Sequence, residues 1–350
     1  MKRLLIKTTI LSFVLLTIII SVNVIGDPAR IFDDNYEAEM VSILKDNYNV
    51  TNISNYDDRA FQKKIIPNLP TSPDILVVGS SRTMLIGNNL SDDLSIYNNS
   101  VNRASIYDII GIYQLYVDNK ILPEKIILGI DPGGFNDNNQ DNRWFSLRKE
   151  YNKFIGKNDQ GNHLDLTKIK QLISITYFQE SIRNLPKVIN GEDRPIPTLV
   201  VNNLSNTILT DGSLKYDIRM DSVDNQTIVK KSLEAFNNEG FGLNSFTEIS
   251  LERINDFQQL INHAKSQNIE IELYMSPFNP HIYQDLIDKY PIILEVEAMV
   301  KNIGETNNIS TFGSYDPTTL NLSVDDFYDG WHLKTDIIMN IFKKQLDLKE

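Results

Sequence analysis

The sequence predicts an α/β protein in which one N-terminal transmembrane helix precedes a doubly wound, mostly parallel sheet. Two observations carry this prediction. An uncharged, strongly apolar run opens the chain at Thr8–Ile25. From Asp74 onward, short continuous apolar segments alternate with segments of helical periodicity. Such short apolar runs are typical of parallel strands buried on both faces, and strands joined by helices favour a doubly wound sheet.

The N-terminal run is long enough for an anchor. Its 18 residues approach the roughly 20 that a membrane-spanning helix needs. Lys2, Arg3 and Lys7 precede it, so the amino end is expected in the cytoplasm and the rest outside. A cleavable signal peptide is the alternative, but Asn23–Pro28 lacks a small-x-small cleavage pattern. We expect an uncleaved, single-pass protein of the cell membrane.

Composition excludes several classes of function. The net charge of −12 argues against a nucleic-acid binder, which needs a basic face. Cysteine is absent, which excludes disulfides, thiolate metal sites and a cysteine nucleophile. With only four histidines, a multi-histidine metal centre is not expected. We therefore expect no metal and no cofactor, and chemistry based on hydroxyls, carboxylates and few imidazoles.

We divide the chain into an anchor (1–26), a polar segment with a short helix (27–73) and a main domain (74–350). The polar segment either packs on the main domain or holds it away from the membrane. Within the main domain, residues from about 135 to 244 break the alternation and are read as an insertion, since long excursions are often functional.

The individual elements follow from the pattern. Predicted strands are Asp74–Gly79, Leu94–Asn98, Lys125–Asp131, Ile269–Met275 and Ile309–Phe312. Predicted helices are Tyr36–Tyr48, Ser105–Asp118, Leu166–Ile189, Glu248–Gln267, Tyr283–Ile303 (kinked or divided at Pro291) and Lys334–Leu348.

Two strand ends carry side chains suited to nucleophilic catalysis. The first strand ends in Gly79-Ser80-Ser81-Arg82, a turn expected to lead into a helix whose N–H groups and dipole would stabilise an oxyanion. Asp329 and His332 follow the last strand, at a spacing that lets a carboxylate orient an imidazole toward a hydroxyl. Each also has a structural interpretation: Ser81 as a helix N-cap, Asp329 as a turn residue, His332 as a cap on the final helix.

From about Asp74 onward the chain resembles the SGNH (GDSL-like) hydrolase superfamily. Ser81 matches the serine of the family's Gly-Asp-Ser block, with Ser80 in place of the aspartate, and Asp329 and His332 match its Asp-x-x-His block. Asn102-Arg103-Ala104-Ser105 lies at the second block without its glycine. Gly129-Ile130-Asp131-Pro132 lies at the third block without its asparagine.

The resemblance implies an SGNH/flavodoxin-like three-layer fold and roles for the residues of the strand ends. Ser81 would be the nucleophile, His332 the base and Asp329 its orienting carboxylate. Lower-ranked oxyanion or substrate-binding candidates are Ser80 (also a fallback nucleophile), Arg82, Ala104, Ser105 and Asp131. Arg82 and Arg103 could bind an anionic substrate, although an arginine at such a place is more often a surface residue or part of a structural ion pair.

Similarity is greatest to the extracytoplasmic branch that includes D-alanyl-lipoteichoic-acid transfer proteins and cell-envelope polysaccharide O-acetyltransferases. It implies transfer of an acetyl or D-alanyl group onto a teichoic acid or surface polysaccharide of a Gram-positive bacterium. A membrane-bound O-acyltransferase would be the partner that delivers the acyl group. A carbohydrate esterase and a non-catalytic scaffold of an envelope-biosynthesis complex are the alternatives.

Overall fold

The computed structural model describes residues 1–33, 35–158, 166–238 and 242–346. It is an α/β protein with a five-stranded parallel sheet, as predicted. The strands in chain order are β1 (Asn49–Thr51), β2 (Ile75–Val78), β3 (Ile96–Asn98), β4 (Lys125–Gly129), β5 (Ile196–Thr198), β6 (Thr207–Ile208), β7 (Leu214–Lys215), β8 (Glu270–Met275) and β9 (Ser310–Gly313). All five predicted strands are present: four are shorter by one or two residues, and the one predicted at Ile309–Phe312 is shifted by one residue to Ser310–Gly313.

The parallel sheet has the order β3-β2-β4-β8-β9. Counted along the chain within this sheet alone, that order is 2-1-3-4-5, one of the common doubly wound arrangements. The first two strands lie on one side and the later three on the other, so the chain changes direction between β2 and β4. In such sheets ligands bind outside the carboxyl ends of the strands at this switch point.

Helices connect and cover the strands. They are α1 (Lys2–Gly26), α2 (Tyr36–Lys45), α3 (Asp58–Ile65), α4 (Ile106–Asn119), α5 (Arg148–Phe154), α6 (Leu166–Leu172), α7 (Ile175–Ile189), α8 (Asn225–Asn237), α9 (Leu251–Ser266), α10 (Pro280–Lys289), α11 (Ile292–Asn307) and α12 (Thr335–Gln345). The predicted helix Leu166–Ile189 is divided between α6 and α7, and Pro291 separates α10 from α11. Residues 347 and 348 of the predicted last helix lie outside the described residues.

Both faces of the parallel sheet are buried. Leu76 and Leu128 point into a large core shared with α4, α9 and α11, whereas Val77 and Ile127 point into a second core covered by α12. Burial on both faces explains why the strands read as continuous apolar runs rather than as alternating ones.

Residues 27–73 pack on the main domain. Tyr36 and Met40 of α2 and Phe61 of α3 are buried in the larger core. β1 belongs to a second, antiparallel sheet of order β5-β1-β6-β7, whose other strands come from the predicted insertion. The segment therefore packs on the main domain and does not serve as a spacer that holds the domain away from the membrane.

The N-terminal helix α1 is long and apolar enough to cross a membrane, with a mean hydropathy of 2.4 over an 18-residue stretch. Most of its length is exposed, but its last turn contacts the main domain. Asn23 and Gly26 are buried there, and the Asn184 amide of α7 donates to the Gly26 carbonyl at 2.7 Å.

Candidate active site

A serine, a histidine and an aspartate meet at the carboxyl edge of the parallel sheet. The Ser81 hydroxyl oxygen lies 2.9 Å from His332 Nε2. On the other side of the ring, His332 Nδ1 lies 2.8 and 3.0 Å from the two carboxylate oxygens of Asp329. With the proton on Nδ1, the imidazole donates to the carboxylate and accepts from the hydroxyl. This is the hydrogen-bonding order that activates a serine nucleophile.

A tight loop fixes the register of Asp329 and His332. A bridge between Phe327 and Leu333 closes the loop, and the Tyr328 N–H donates to the His332 carbonyl at 2.8 Å. Within the loop, the backbone N–H groups of Trp331 and His332 donate to Asp329 Oδ1 at 2.7 and 3.0 Å. The aspartate is therefore held by its own backbone and cannot rotate away from the imidazole.

The environment of Asp329 favours its charged form. Burial by itself would raise the pKa of this carboxyl. The nearby His332 imidazole and the two backbone donors outweigh that effect and hold the pKa below its ordinary value. Asp329 is thus an anion at neutral pH, as an orienting carboxylate needs to be.

The chain after Ser81 is not the helix that we predicted. Residues 81–85 form hydrogen-bonded turns. The Asn98 side-chain amide donates to the carbonyls of Thr83 and Ile86 at 2.7 and 2.8 Å, which removes acceptors that a helix would use. Because Ser81 does not begin a helix, stabilisation of an oxyanion by a helix dipole does not apply here.

Two glycines let the ends of β2 and β4 approach each other beside Ser81. A Cβ on Gly79 would lie 2.6 Å from Thr83 Oγ1 and 3.0 Å from Gly129 Cα. A Cβ on Gly129 would lie 2.5 Å from Thr83 Cγ2. The two distances to Thr83 are shorter than real Cβ contacts and the distance to Gly129 Cα is at their limit, so a side chain at either glycine would force Thr83 to move.

Arg82 joins the ends of three strands. Its guanidinium donates to Asp131 Oδ1 at 2.9 Å, to the Pro277 carbonyl at 2.8 Å and to the Ser276 carbonyl. The guanidinium also lies over the Phe278 ring, 4.4 Å from its centroid. Arg82 and Asp131 are thus paired with each other inside the protein, the structural role that was the alternative to gripping an anion. Exposed Arg103 stays a candidate for substrate contact.

The candidate oxyanion donors differ in their availability. Ser105 is the N-cap of α4, and both its N–H and its hydroxyl donate to Asp108 Oδ2. The Asn102 N–H donates to Asp58 Oδ2 at 2.6 Å. Within the described part of the chain, neither the Ser81 nor the Ala104 N–H donates a hydrogen bond. Those two groups are therefore the better candidates for an oxyanion hole.

Ser80 does not contact the imidazole. It is buried, and its hydroxyl oxygen accepts the Arg82 N–H at 3.2 Å. Its carbonyl accepts from the Thr83 N–H and hydroxyl. Ser80 thereby shapes the turn that presents Ser81.

Two residues near the triad were not anticipated. The Asn279 amide donates to the Asp329 carbonyl at 3.0 Å, and the Asn279 N–H donates to the Gly330 carbonyl at 3.1 Å. Tyr216, from the insertion, packs edge-on against His332 with ring centroids 6.0 Å apart. Asn279 follows the end of β8, where a polar side chain could have been noticed; nothing in the local sequence marks Tyr216.

The remaining histidines lie elsewhere. His263 shares a hydrogen bond with the Tyr113 hydroxyl at 2.9 Å, His281 is exposed at the start of α10, and His163 lies outside the described residues. Among the side chains that the structure describes, no group of three or more His, Asp or Glu is placed to hold a metal ion.

The comparisons with known proteins identify no family for this chain. No protein-family model matches this chain, and no curated protein matches it.

Proposed function

We propose that the protein is a serine-dependent acyltransferase that works at the outer face of a membrane. One observation carries the proposal: the continuous hydrogen-bonded chain from the Ser81 hydroxyl through His332 to Asp329. These side chains come from the two ends of the main domain, 251 residues apart in sequence between Ser81 and His332. A helix cap or a simple turn would not need all three to be in contact.

The chemistry follows from the geometry. Ser81 Oγ attacks an acyl carbonyl as its proton passes to His332 Nε2, and Asp329 stabilises the resulting imidazolium. The tetrahedral intermediate collapses when the imidazolium protonates the leaving oxygen, which leaves an acyl ester on Ser81. An acceptor hydroxyl then loses its proton to His332 and attacks that ester. The acyl group passes to the acceptor, and Ser81 recovers its proton.

Membership of the SGNH superfamily is part of the proposal. It is supported by the 2-1-3-4-5 strand order, by burial of both sheet faces as a three-layer fold requires, and by the position of the serine beside the switch point. The paired glycines Gly79 and Gly129 stand at the first and third family blocks. We take the departures in the second and third blocks as a sign of the transferase-like branch.

The proposed location rests on α1. Because Asn23 and Gly26 pack into the main domain, cleavage after the apolar run would remove contacts that the folded protein uses. We therefore propose a retained, single-pass anchor with the main domain outside the cell. The substrate would be an acyl group, acetyl or D-alanyl, passed from a membrane-bound O-acyltransferase to a teichoic acid or surface polysaccharide.

A carbohydrate esterase is the second candidate. The triad is partly open to water: the His332 and Asp329 side chains are 16% and 23% exposed. Water reaching the acyl ester would hydrolyse it with the same three residues. The esterase and the transferase share the acyl-enzyme and differ only in what attacks it.

The test uses the full-length protein in detergent with p-nitrophenyl acetate, followed by intact-mass spectrometry. We expect an acetyl adduct on the protein that is lost in Ser81→Ala and kept in Ser80→Ala, the matched neighbour. An adduct that survives in Ser81→Ala would contradict the assignment of the nucleophile. No adduct in any form would favour the non-catalytic scaffold. Decay of the adduct in water alone, unaffected by added glycan, would favour the esterase.

A further inference from the structure

Helix α7 has an apolar stripe that the protein does not cover. Ile175, Ile182 and Ile189 are seven residues apart and so lie along one side of the helix. They are 66%, 48% and 76% exposed. The side that faces α1 contains the buried residues Tyr177 and Ser181, which lie roughly 100–140° around the helix from Ile182. An uncovered isoleucine stripe of this length is unusual for a protein surface in water.

Further isoleucines just before α7 in the chain have exposed side chains. Ile169 in α6 and Ile173 between the two helices are also exposed. We refer to Ile169, Ile173, Ile175, Ile182 and Ile189 together as the isoleucine face. The next segment of the chain, 196–204, also exposes aliphatic side chains, including Leu199 and Leu204.

Helix α7 crosses the end of α1 instead of running beside it. At its start, Asn23 Nδ2 donates to the Leu172 and Ser174 carbonyls at 3.0 and 3.2 Å. Toward its end, Asn184 contacts Gly26, and Val188 shares a surface cleft with Val24. A helix of 15 residues is about 22 Å long, whereas one turn of α1 rises about 5 Å. Because this one turn of α1 is bonded both at Ser174 and, ten residues further on, at Asn184, the two helices must cross.

This turn of α1 is the outer end of its apolar run. A helix that crosses a spanning helix at that level lies near the plane of the membrane–water interface. The segment 166–189 also differs in charge from the rest of the chain. It contains Lys168, Lys170, Arg183 and Lys187 against Glu180, a net +3 in a chain of net −12. Basic residues beside an apolar stripe are the pattern of helices that lie on anionic bilayers.

We propose that α6 and α7 lie in the outer membrane–water interface, with the isoleucine face among the acyl chains and the basic side chains among anionic headgroups. This inference depends on α1 spanning the bilayer, as proposed above. The occupant of the face is lipid, because the face lies on a helix that crosses α1 at the outer end of its apolar run. The protein would then contact the membrane through two elements.

The test uses the full-length protein in nanodiscs of phosphatidylglycerol and phosphatidylcholine, one copy per disc. The chain has no cysteine, so single cysteines can be introduced directly at Ile175, Ile182 and Ile189 and given nitroxide labels. Leu251→Cys is the matched control, because Leu251 begins α9 and is 75% exposed. Leu11→Cys in α1 reports on the anchor. Circular dichroism checks that each variant is folded.

Accessibility to oxygen, which enters lipid, is compared with accessibility to a polar nickel chelate. We expect the ratio at the three isoleucine positions to shift from that of the Leu251 label toward that of the Leu11 label. Suppose that the isoleucine labels are as accessible to the nickel chelate as the Leu251 label, while the Leu11 label is in lipid. That result would overturn the interfacial position of α7 and would leave the membrane anchor unaffected.

If the Leu11 label were also in water, the anchor itself would fail, which is a separate result. Labels open to nickel in single-copy nanodiscs but shielded in native membranes would mean that a protein covers the face, and the lipid assignment would be wrong.

Discussion

The Asn279 side chain donates a hydrogen bond to the backbone carbonyl of Asp329, at 3.0 Å. Through this bond and the Asn279 N–H bond to Gly330, the segment between β8 and α10 holds the loop that carries Asp329 and His332. Asn279 is fully buried. The position of the imidazole therefore depends on a residue that touches neither the imidazole nor the serine.

Replacement of Asn279 should impair the proposed chemistry more than it impairs folding. Asn279→Ala removes a buried donor and is expected to cost about 1–3 kcal/mol of the free energy of unfolding. A displaced Asp329–His332 loop should slow acylation of Ser81 by about 10²-fold, as small misplacements of reacting groups do. The measurements are the rate of the p-nitrophenol burst with p-nitrophenyl acetate, for acylation, and urea denaturation, for the free energy of unfolding. Asn302→Ala, an exposed change on α11, is the control; equal acylation rates would contradict the positioning role.

Asp329→Asn tests the orientation of the imidazole. An amide in place of the carboxylate no longer favours a proton on His332 Nδ1, so Nε2 is a poorer acceptor for the Ser81 proton. Acylation should fall by about 10³–10⁴-fold while the protein stays folded. Burst kinetics and thermal unfolding together measure this. A loss below about tenfold would mean that Asp329 is only a turn residue.

The lowered pKa of Asp329 predicts how stability depends on pH. A carboxyl with a lower pKa in the folded state binds protons more readily when unfolded. Its contribution is therefore complete above its unfolded pKa of about 3.9 and is lost as pH falls through the lower folded value. The difference in unfolding free energy between the wild type and Asp329→Asn should shrink below about pH 4. Parallel curves from pH 7 to pH 2 would contradict this.

The Arg82–Asp131 pair should be worth far more than an exposed pair. The Arg82 side chain is 2% exposed. Arg82→Met therefore leaves Asp131 without its ion-pair partner and removes the hydrogen bonds that link the ends of β2, β4 and β8. We expect a loss of about 3–5 kcal/mol in the free energy of unfolding. Arg183→Met breaks the exposed pair with Glu180 and should cost about 0–1 kcal/mol. Similar losses in the two variants, measured by chemical denaturation, would show that Arg82 does not join the strands.

The glycine at the end of β4 gives a steric test with a close control. In Gly129→Ala the new methyl group would meet Thr83 Cγ2 at 2.5 Å, so the turn that contains Thr83 and follows Ser81 must shift. We expect a loss of about 1–3 kcal/mol and slower acylation of Ser81. In Gly134→Ala, five residues further along the chain, the nearest atoms are 3.9 Å away. That variant should behave as wild type; two equally impaired variants would contradict a specific contact.

The sequence was sufficient to predict the parallel sheet and the proximity of Ser81 to His332. Both follow from local patterns combined with a general rule, since buried strands are continuous apolar runs and their carboxyl ends share one edge. What the structure adds comes from contacts distant in sequence. The amide of Asn98 takes carbonyl acceptors that the helix expected after Ser81 would need. Tyr216, from the insertion, packs against His332.

The second sheet was missed for a different reason. Its strands contain two or three residues each, such as Thr207–Ile208, which is too few to show an alternating pattern. It forms because β1, in a segment that we first described as polar, pairs with two strands of the insertion. Pairing between such distant short segments is set by packing rather than by local preference.

The contact between Gly26 and Ser181 leaves no flexible stalk between anchor and body, since a Cβ on Gly26 would lie 2.5 Å from the Ser181 carbonyl oxygen. A domain joined to its membrane anchor by a flexible linker can take many orientations and heights above the bilayer. With α1 in the membrane as proposed, this one can only diffuse laterally and turn about the membrane normal. If the protein is the acyltransferase proposed above, Ser81 is held at one height and one tilt, so that polymer and acyl donor would both have to come to that level and the distance from the bilayer would become part of substrate selection.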